Sequence, residues 1–332
     1  MNNEKALLLR ELLNAFGPSG NEENISMLIE DNIKAYVDNL YRDVMGNLIA
    51  YKKGIGKKIM ISAHMDEIGL IITHIDQEGY LRFSNIGGVS ADLIQGQRVV
   101  FKNGIIGVIF SESLDKDEKV SMGNLFIDIG VNNKEDAAKI VSIGDVGTLY
   151  GPLVINNHRG FSKAMDNRIG CYILIEVLKR INKYKNELYF VFTVQEELGK
   201  RGAQISTYSI NPDMGIVVDV TKTGDTPKGK TMDISLGKGP GIKVFDSSII
   251  THPKVKELLT TVAEESNIPY QLEVLEEGGT DAGAIYLTRG GIPTGVLSIP
   301  TRYIHSSGEM VDLNDVENAI RLLLKVLEEE II

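Results

Sequence analysis

The sequence predicts an α/β protein with an open sheet, interrupted by a smaller domain built of β-strands. Apolar, β-branched runs at residues 59–63, 188–194 and 215–218 have the length of buried strands. Helical patterns separate and follow these runs, as is typical of α/β domains. Residues 70–157 differ, because short strand-like runs there alternate with glycine-containing turns. We therefore expect a main domain made of residues 1–69 and 158–332, with residues 70–157 inserted as a β-rich domain.

The elements of the first half follow from local patterns. The first helix has an apolar face made of Ala6, Leu7, Leu9, Leu12 and Leu13, and Pro18-Ser-Gly20 ends it. A second helix runs towards residue 36, and strand-like segments with a turn at 45–47 lead to the buried strand at 59–63. The inserted domain shows short strand-like runs at 70–75, 97–101 and 105–110.

The α/β pattern resumes with a helix that begins near Asp166 and ends near residue 181. Two buried strands follow, and then a loop with one short strand at 221–241. Helices are expected at 253–267 and 282–287, extended chain at 270–275 and a buried strand at 292–299. The last helix should run from 313 to 330, with Asp312 as its N-cap.

Composition limits the possible functions. The chain has 332 residues, of which 43% are hydrophobic and 24% charged, as in soluble globular proteins. Its formal net charge of -10 argues against nucleic acid or an anionic membrane as the main partner. Residues 1–16 do not resemble an export signal, and no apolar run reaches the roughly 20 residues of a membrane span. We expect a cytoplasmic protein, and the single Cys171 excludes an internal disulfide.

Polar residues follow the predicted strands at the points where the strands end. A Glu-Glu pair alone is more often a solvated turn, but here several such positions coincide. Chemistry in an open α/β sheet gathers outside the carboxyl ends of its strands. The residues at strand ends, or just before a helix, are His64, Asp66, Asp166, Glu196, Glu197, Asp219 and His305.

This set of side chains indicates a metal site. Two histidines with several carboxylates, and no cysteine cluster, match the ligands of zinc, cobalt or manganese. Two such ions that share a carboxylate form a common hydrolytic arrangement. One further carboxylate would have to remain off the metals to transfer protons.

Six motifs resemble those of the tetrahedral (TET) di-metal aminopeptidases, a family that includes glutamyl aminopeptidases and proteins labelled cellulase M. The resemblance covers nearly the whole chain, and the motifs occur in the family's order. They are Ala-His64-Met-Asp66-Glu-Ile-Gly, Lys-Ala-Met-Asp166-Asn-Arg-Ile-Gly, Val-Gln-Glu196-Glu197-Leu-Gly-Lys-Arg-Gly-Ala, Asp219-Val-Thr, Gly-Gly-Thr280-Asp281-Ala and Pro-Thr-Arg-Tyr-Ile-His305-Ser.

The resemblance implies a mixed sheet with helices on both faces and an inserted barrel-like domain that serves in assembly and substrate access. It also implies two divalent ions per subunit, with zinc or cobalt expected. Asp166 would bridge them, His64 and Asp219 would complete one site, and Glu197 and His305 the other. Glu196 would be the general base and acid, and Asp66 would orient His64.

The resulting expectation is an aminopeptidase in which a metal-bridging hydroxide attacks short peptides at their N-terminal residue. Tetrahedral homododecamers are implied as well, and the apolar runs at 99–101 and 105–110 are expected to contribute contacts. A metal-dependent glycosidase is one alternative, although the chain has no tryptophan and few aromatic residues to stack on sugars. A non-catalytic assembly protein stabilised by metals is another. Thr280 and Asp281 could shape the substrate pocket, or Asp281 could cap the next helix.

Overall fold

The computed structural model describes residues 3–115 and 119–331. The described chain forms nine α-helices, together with 3₁₀ turns at Lys34–Tyr36 and Met122–Asn124. The helices are α1 (Asn3–Asn14), α2 (Glu23–Ile33), α3 (Ala91–Ile94), α4 (Lys134–Ala138), α5 (Met165–Arg180), α6 (Arg201–Ile210), α7 (Pro253–Glu265), α8 (Asp281–Tyr286) and α9 (Leu313–Glu328). None of these helices has the length and apolar composition needed to cross a bilayer.

The strands form one large sheet and one barrel. The strands are β1 (Asn39–Arg42), β2 (Leu48–Lys52), β3 (Lys58–His64), β4 (Gly69–Ile75), β5 (Leu81–Ile86), β6 (Arg98–Phe101), β7 (Ile106–Ser111), β8 (Leu125–Asp128), β9 (Val146–Leu149), β10 (Val154–Asn156), β11 (Arg159–Ser162), β12 (Glu187–Thr193), β13 (Met214–Thr221), β14 (Gly241–Asp246), β15 (Ile249–Ile250), β16 (Gln271–Val274), β17 (Thr294–Arg302) and β18 (Glu309–Asp312).

The large sheet has twelve strands, with the central order β1-β2-β12-β3-β13-β17-β18-β11-β10 and with β14 to β16 branching from β17. Its four middle strands, β12, β3, β13 and β17, run parallel, and their neighbours on either side run antiparallel. In this register Thr193 lies beside His64, so the ends of β12 and β3 coincide. The carboxyl ends of the parallel strands therefore share one edge of the sheet.

Alternating side chains of the middle strands pack into two separate cores. Ile59 and Ile61 face the larger core, which also contains apolar residues of α1, α2, α5, α7 and α9. Met60, between them, faces the other side, together with residues of α6 and α8 such as Ala203 and Ile285. Helices thus cover both faces, because side chains of a strand point alternately to opposite faces. The predicted mixed α/β fold is confirmed.

The barrel closes in the order β4-β5-β8-β7-β6-β9, between residues 69 and 149. A separate core fills it, including Val99, Phe101 and Ile109.

The loop between β13 and β14 differs from the prediction. Residues 222–240 contain no strand, so the prediction of a short strand in that loop is wrong. The loop is instead fixed by side chains, since Arg302 makes a paired hydrogen bond to the Asp225 carboxylate at 2.9 and 2.7 Å.

Candidate metal centre and active-site cleft

The sheet brings the polar residues identified at strand ends to one place. His64 is the last residue of β3, and Asp219 lies near the end of β13. The Glu196-Glu197 pair follows β12, and His305 follows β17. Asp166 lies in the first turn of α5, where its backbone is not helical, with φ -76° and ψ 104°. Each side chain therefore enters the site from irregular backbone or from a strand end.

Two groups of potential ligand atoms share the Asp166 carboxylate. In the first, His64 Nε2 lies 3.0 Å from Asp166 Oδ1 and 3.6 Å from Asp219 Oδ1. In the second, His305 Nε2 lies 3.2 Å from Asp166 Oδ2 and 3.2 Å from Glu197 Oε1. Within each group the ligand atoms lie within 4.8 Å of one another. The two oxygens of Asp166 thus face different groups.

Both imidazole rings are held in place through Nδ1, while their Nε2 atoms face Asp166. His64 Nδ1 lies 3.2 Å from the carbonyl oxygen of Asp66 and 3.4 Å from its carboxylate. His305 Nδ1 lies 2.7 Å from the carbonyl oxygen of Gly88. With Nδ1 against such an oxygen, Nε2 is directed at the shared carboxylate, which is the usual arrangement of metal-binding histidines.

The barrel supplies a loop that packs directly against the second group. A Cβ atom built on Gly88 would lie 2.8 Å from the His305 ring, and one on Gly87 would lie 2.7 Å from Glu197 Oε2. Gly87 also has φ of +78°, which favours glycine. Sequence reasoning treated this pair as a simple turn, and no local signal linked it to a histidine 217 residues away.

The N-terminal turn supports the first group from behind. Ser19 donates its hydroxyl hydrogen to Asp66 Oδ2 at 2.6 Å, and Glu22 Oε1 accepts the backbone N–H of Gln195 at 3.2 Å. Sequence reasoning missed both residues and interpreted the Pro-Ser-Gly segment only as a helix break. The interpretation was incomplete because hydrogen bonds between distant segments leave no periodic pattern in the sequence.

Burial and mutual contacts shift the protonation equilibria of the site. Burial opposes a charge on His64 and on His305, but hydrogen bonds to Asp166 outweigh it; the pKa of His64 is well above its usual value and that of His305 is raised to about 11. The pKa of Asp166 is lowered, because hydrogen bonds to both histidines overcome its burial. Burial raises the pKa of Glu196 well above the ordinary glutamate value. The carboxylates therefore attract positive charge into the site.

The donor set fits divalent metal ions. Each group offers one imidazole nitrogen and two carboxylates, the ligand types that zinc and cobalt accept. Among the described residues, no lysine or arginine forms an ion pair with the carboxylates of the two groups. The basic side chains within ion-pair distance of them are His64 and His305. Buried carboxylates without a cation are costly, so metal ions would supply the missing charge.

A cleft of about 530 Å³ opens onto both groups. Glu196 lines the cleft but belongs to neither group of ligand atoms. Thr280 also lines the cleft, and its hydroxyl oxygen caps α8 by accepting the N–H of Ala282. Asp281 is buried behind the wall, where it accepts a hydrogen bond from Thr193 at 2.5 Å. The helix cap is therefore Thr280, and a substrate-binding role of Asp281 stays a prediction.

Comparisons with known proteins agree with this geometry. The family model for M42 glutamyl aminopeptidase matches residues 46–322. A lysyl aminopeptidase of Pyrococcus furiosus is 36% identical over 97% of this chain and 96% of its own. A solved aminopeptidase of Desulfurococcus kamchatkensis has a TM-score of 0.95 at 40% identity, covering 98% of this chain and 95% of that one.

A solved TET1 peptidase of Pyrococcus horikoshii superposes with a TM-score of 0.89 at 33% identity, covering 98% of this chain and 99% of that one. That protein can assemble into a tetrahedron or a large octahedral shell. The resemblance to the tetrahedral aminopeptidases, noted from six motifs, is thereby confirmed. The chain belongs to the M42 glutamyl aminopeptidase family and is a peptidase.

Proposed function

We propose that this protein is an aminopeptidase that binds two divalent metal ions and removes N-terminal residues from short peptides. The observation that carries the proposal is the pair of three-residue groups sharing Asp166 in one cleft, with Glu196 outside both groups. His64, Asp166 and Asp219 would hold one ion, and Asp166, Glu197 and His305 the other. Zinc and cobalt both suit these ligands.

Divalent ions at these positions would supply Lewis acidity, which polarises a carbonyl group and makes water nucleophilic near neutral pH. Asp66 would fix the positions of His64 and of the turn that carries Glu196 and Glu197. Its carboxylate lies 3.4 Å from His64 Nδ1 and accepts the backbone N–H groups of Glu196 and Glu197 at 3.0 and 3.2 Å. One buried carboxylate thus orients a ligand histidine and the turn that carries both glutamates.

Glu196 would act as the general base and acid. It would take a proton from the attacking water and return it to the leaving amine, so that the peptide bond breaks without free charge accumulating. Burial raises the pKa of Glu196, which makes its carboxylate a stronger base than an exposed glutamate. A free N-terminal ammonium group would meet carboxylates of the cleft, and an acetylated terminus lacks this charge.

The test uses peptides in free and N-acetylated form, with metal content measured on the same preparations. We expect single residues to be released from free peptides, little or nothing from acetylated copies, and no sugar from soluble cellulose derivatives. Glu196→Gln should keep both metals but lower turnover about 10²–10⁴-fold, since the amide cannot accept the proton. Asp166→Asn should instead lower metal occupancy.

Glu317→Gln is the matched control, because it makes the same change on α9, where Glu317 pairs with Arg180 at 2.7 Å. It should keep full turnover. Equal cleavage of acetylated and free peptides would contradict the aminopeptidase proposal. Metal-dependent sugar release that disappears in Glu196→Gln would support the glycosidase instead, and an inert wild-type protein with bound metal would support the assembly protein.

We also propose that the chain assembles into a tetrahedral homododecamer in the cytoplasm, and that the β-rich segment 70–157 serves in assembly and substrate access. The similarity to the assembling TET1 peptidase supports this proposal. The contact between Gly88 and His305 supports a role of the barrel close to the cleft, since the two segments meet at the second group. An enclosed assembly would admit short or unfolded peptides and exclude folded proteins.

A further inference from the structure

A buried glutamate outside both groups of ligand atoms joins the backbones of two residues that belong to them. Glu309 is the first residue of β18 and is 2% exposed. Its Oε1 accepts the backbone N–H of His305 at 2.6 Å, and its Oε2 accepts the backbone N–H of Asp166 at 2.9 Å. One carboxylate therefore links the segment of His305 to that of Asp166, which lies 143 residues before Glu309 in the chain.

Neither of these two segments is held by regular secondary structure. His305 has φ of +67° and lies in the connection between β17 and β18. Asp166 has non-helical dihedral angles although it lies within the bounds of α5. Glu309, by contrast, lies on a strand that pairs with β11 and with β17, opposite Ser162. The Glu309 carboxylate thus fixes two irregular segments, those of Asp166 and His305, relative to the hydrogen-bonded strand β18.

A buried carboxyl group at this position is costly unless hydrogen bonds compensate its burial. Among the described residues, no lysine or arginine lies within ion-pair distance of Glu309, so two backbone N–H groups compensate its burial. A glutamine would present one oxygen and one NH₂ group, and the NH₂ group would meet a backbone N–H. A carboxyl group presents two acceptor oxygens and can accept both hydrogen bonds, which an amide cannot.

We propose that Glu309 is a positioning residue for the metal centre, which sets the separation of Asp166 and His305 and thereby the affinity of the second group for its ion. The proposal rests on the proposed metal-dependent function. Partners that orient metal ligands change metal affinity about 10–100-fold when they are mutated. Glu309 acts through the backbone of two proposed ligands and belongs to neither group of ligand atoms.

The structure offers a matched control. Asp315 on α9 is also a fully buried carboxylate that accepts two backbone N–H groups, those of Gly237 and Gly239, each at 2.7 Å. It belongs to neither ligand group. Glu309→Gln and Asp315→Asn therefore make the same chemical change in the same kind of contact, and both should lower thermal stability.

The experiment measures zinc binding by the metal-free full-length protein, in competition with a chromogenic chelator, together with thermal unfolding. Wild type and Asp315→Asn should bind two zinc ions per chain with the same affinities. Glu309→Gln should bind one ion as wild type does and the other about 10–100-fold more weakly. Glu309→Asp keeps the charge but is one methylene shorter, so it should shift the same affinity and provides the test if Glu309→Gln does not fold.

Unchanged zinc affinities in both Glu309 variants would overturn the proposal while leaving the proposed function intact. An equal loss of affinity in Asp315→Asn would also overturn it, because the effect would then follow general destabilisation. A wild-type chain that binds fewer than two zinc ions would contradict the metal-dependent function itself, and the positioning role with it.

Discussion

At the scale of single residues, the candidate metal site depends on groups that hold its potential ligand side chains in place. Asp66 is completely buried and accepts hydrogen bonds from Ser19 and from the backbone of Glu196 and Glu197. Hydrogen bonds to a charged acceptor contribute about 1.5–3 kcal/mol each. The His305 ring has fewer constraints, because its side chain is 27% exposed and its Nδ1 contacts a single carbonyl, that of Gly88.

This contact leads to a prediction for Gly88→Ala. The added Cβ would lie 2.8 Å from the His305 ring, a separation that forces the ring or the barrel loop to move. We expect metal affinity at the second group and turnover to fall about 10–100-fold. The number of zinc ions retained per chain after gel filtration, and the rate of peptide hydrolysis, measure the effect.

Gly123→Ala is the control within the same barrel, since the nearest atom to its added Cβ is Ser121 Oγ at 3.9 Å. It should retain metal and turnover. A Gly88→Ala enzyme with wild-type zinc content and rate would show that the loop yields without disturbing His305.

At the scale of elements, a buried arginine joins the first helix to the helix that carries Asp166. Arg168 on α5 is fully buried. It donates to the carbonyl oxygens of Leu12, Ala15 and Gly17 at 2.7, 3.1 and 3.2 Å. The last carbonyl groups of a helix have no partner within it, so Arg168 satisfies the end of α1. Its Nη2 also lies 3.3 Å from Oε1 of Glu67, which follows Asp66 in the chain next to the candidate metal centre.

Arg168→Leu should therefore lower the free energy of unfolding by about 3–5 kcal/mol, the range for removing one partner of a buried ion pair. Urea denaturation of the metal-free protein measures this change. In Arg42→Leu, the lost ion pair with Glu30 is over a third exposed on both sides, and the cost should stay below about 1 kcal/mol. Equal effects of the two substitutions would show that Arg168 does not clamp α1.

At the scale of the whole molecule, the barrel presents apolar side chains on one strand. Ile106, Val108 and Phe110 alternate along β7 and are 45, 43 and 53% exposed. The expectation that residues 99–101 also contribute contacts is wrong for Val99 and Phe101, which fill the barrel core. Their apolar character reflects packing inside the barrel, and alternation along the strand decides which side chains remain outside.

If copies of the chain associate through β7, Phe110→Lys should weaken the assembly, because a charge would be buried without a partner. Light scattering should show a native mass many times 36.5 kDa for the wild type and smaller species for the variant. Ile250→Lys, at a 68% exposed position outside the barrel, is the control. An unchanged mass for Phe110→Lys would exclude β7 from the contact, and a monomeric wild type would remove the assembly proposal.

The sequence by itself determined the central buried strands, most of the helices and the residues at the strand ends, but it did not reveal α6 (Arg201–Ile210). Buried strands appear as apolar runs, and the points where these runs stop locate His64, the Glu196-Glu197 pair and Asp219, because side-chain periodicity is a local property of the chain. The approximate bounds of three barrel strands, β4, β6 and β7, followed for the same reason.

Only the tertiary structure decided what holds these residues in place. Ser19 meets Asp66 across 47 residues, Gly88 meets His305 across 217, and Glu309 meets Asp166 across 143. The physical reason is that each contact depends on how separate segments are brought together by the sheet and the barrel. A serine, a glycine or a buried glutamate carries no periodic signal of its distant partner.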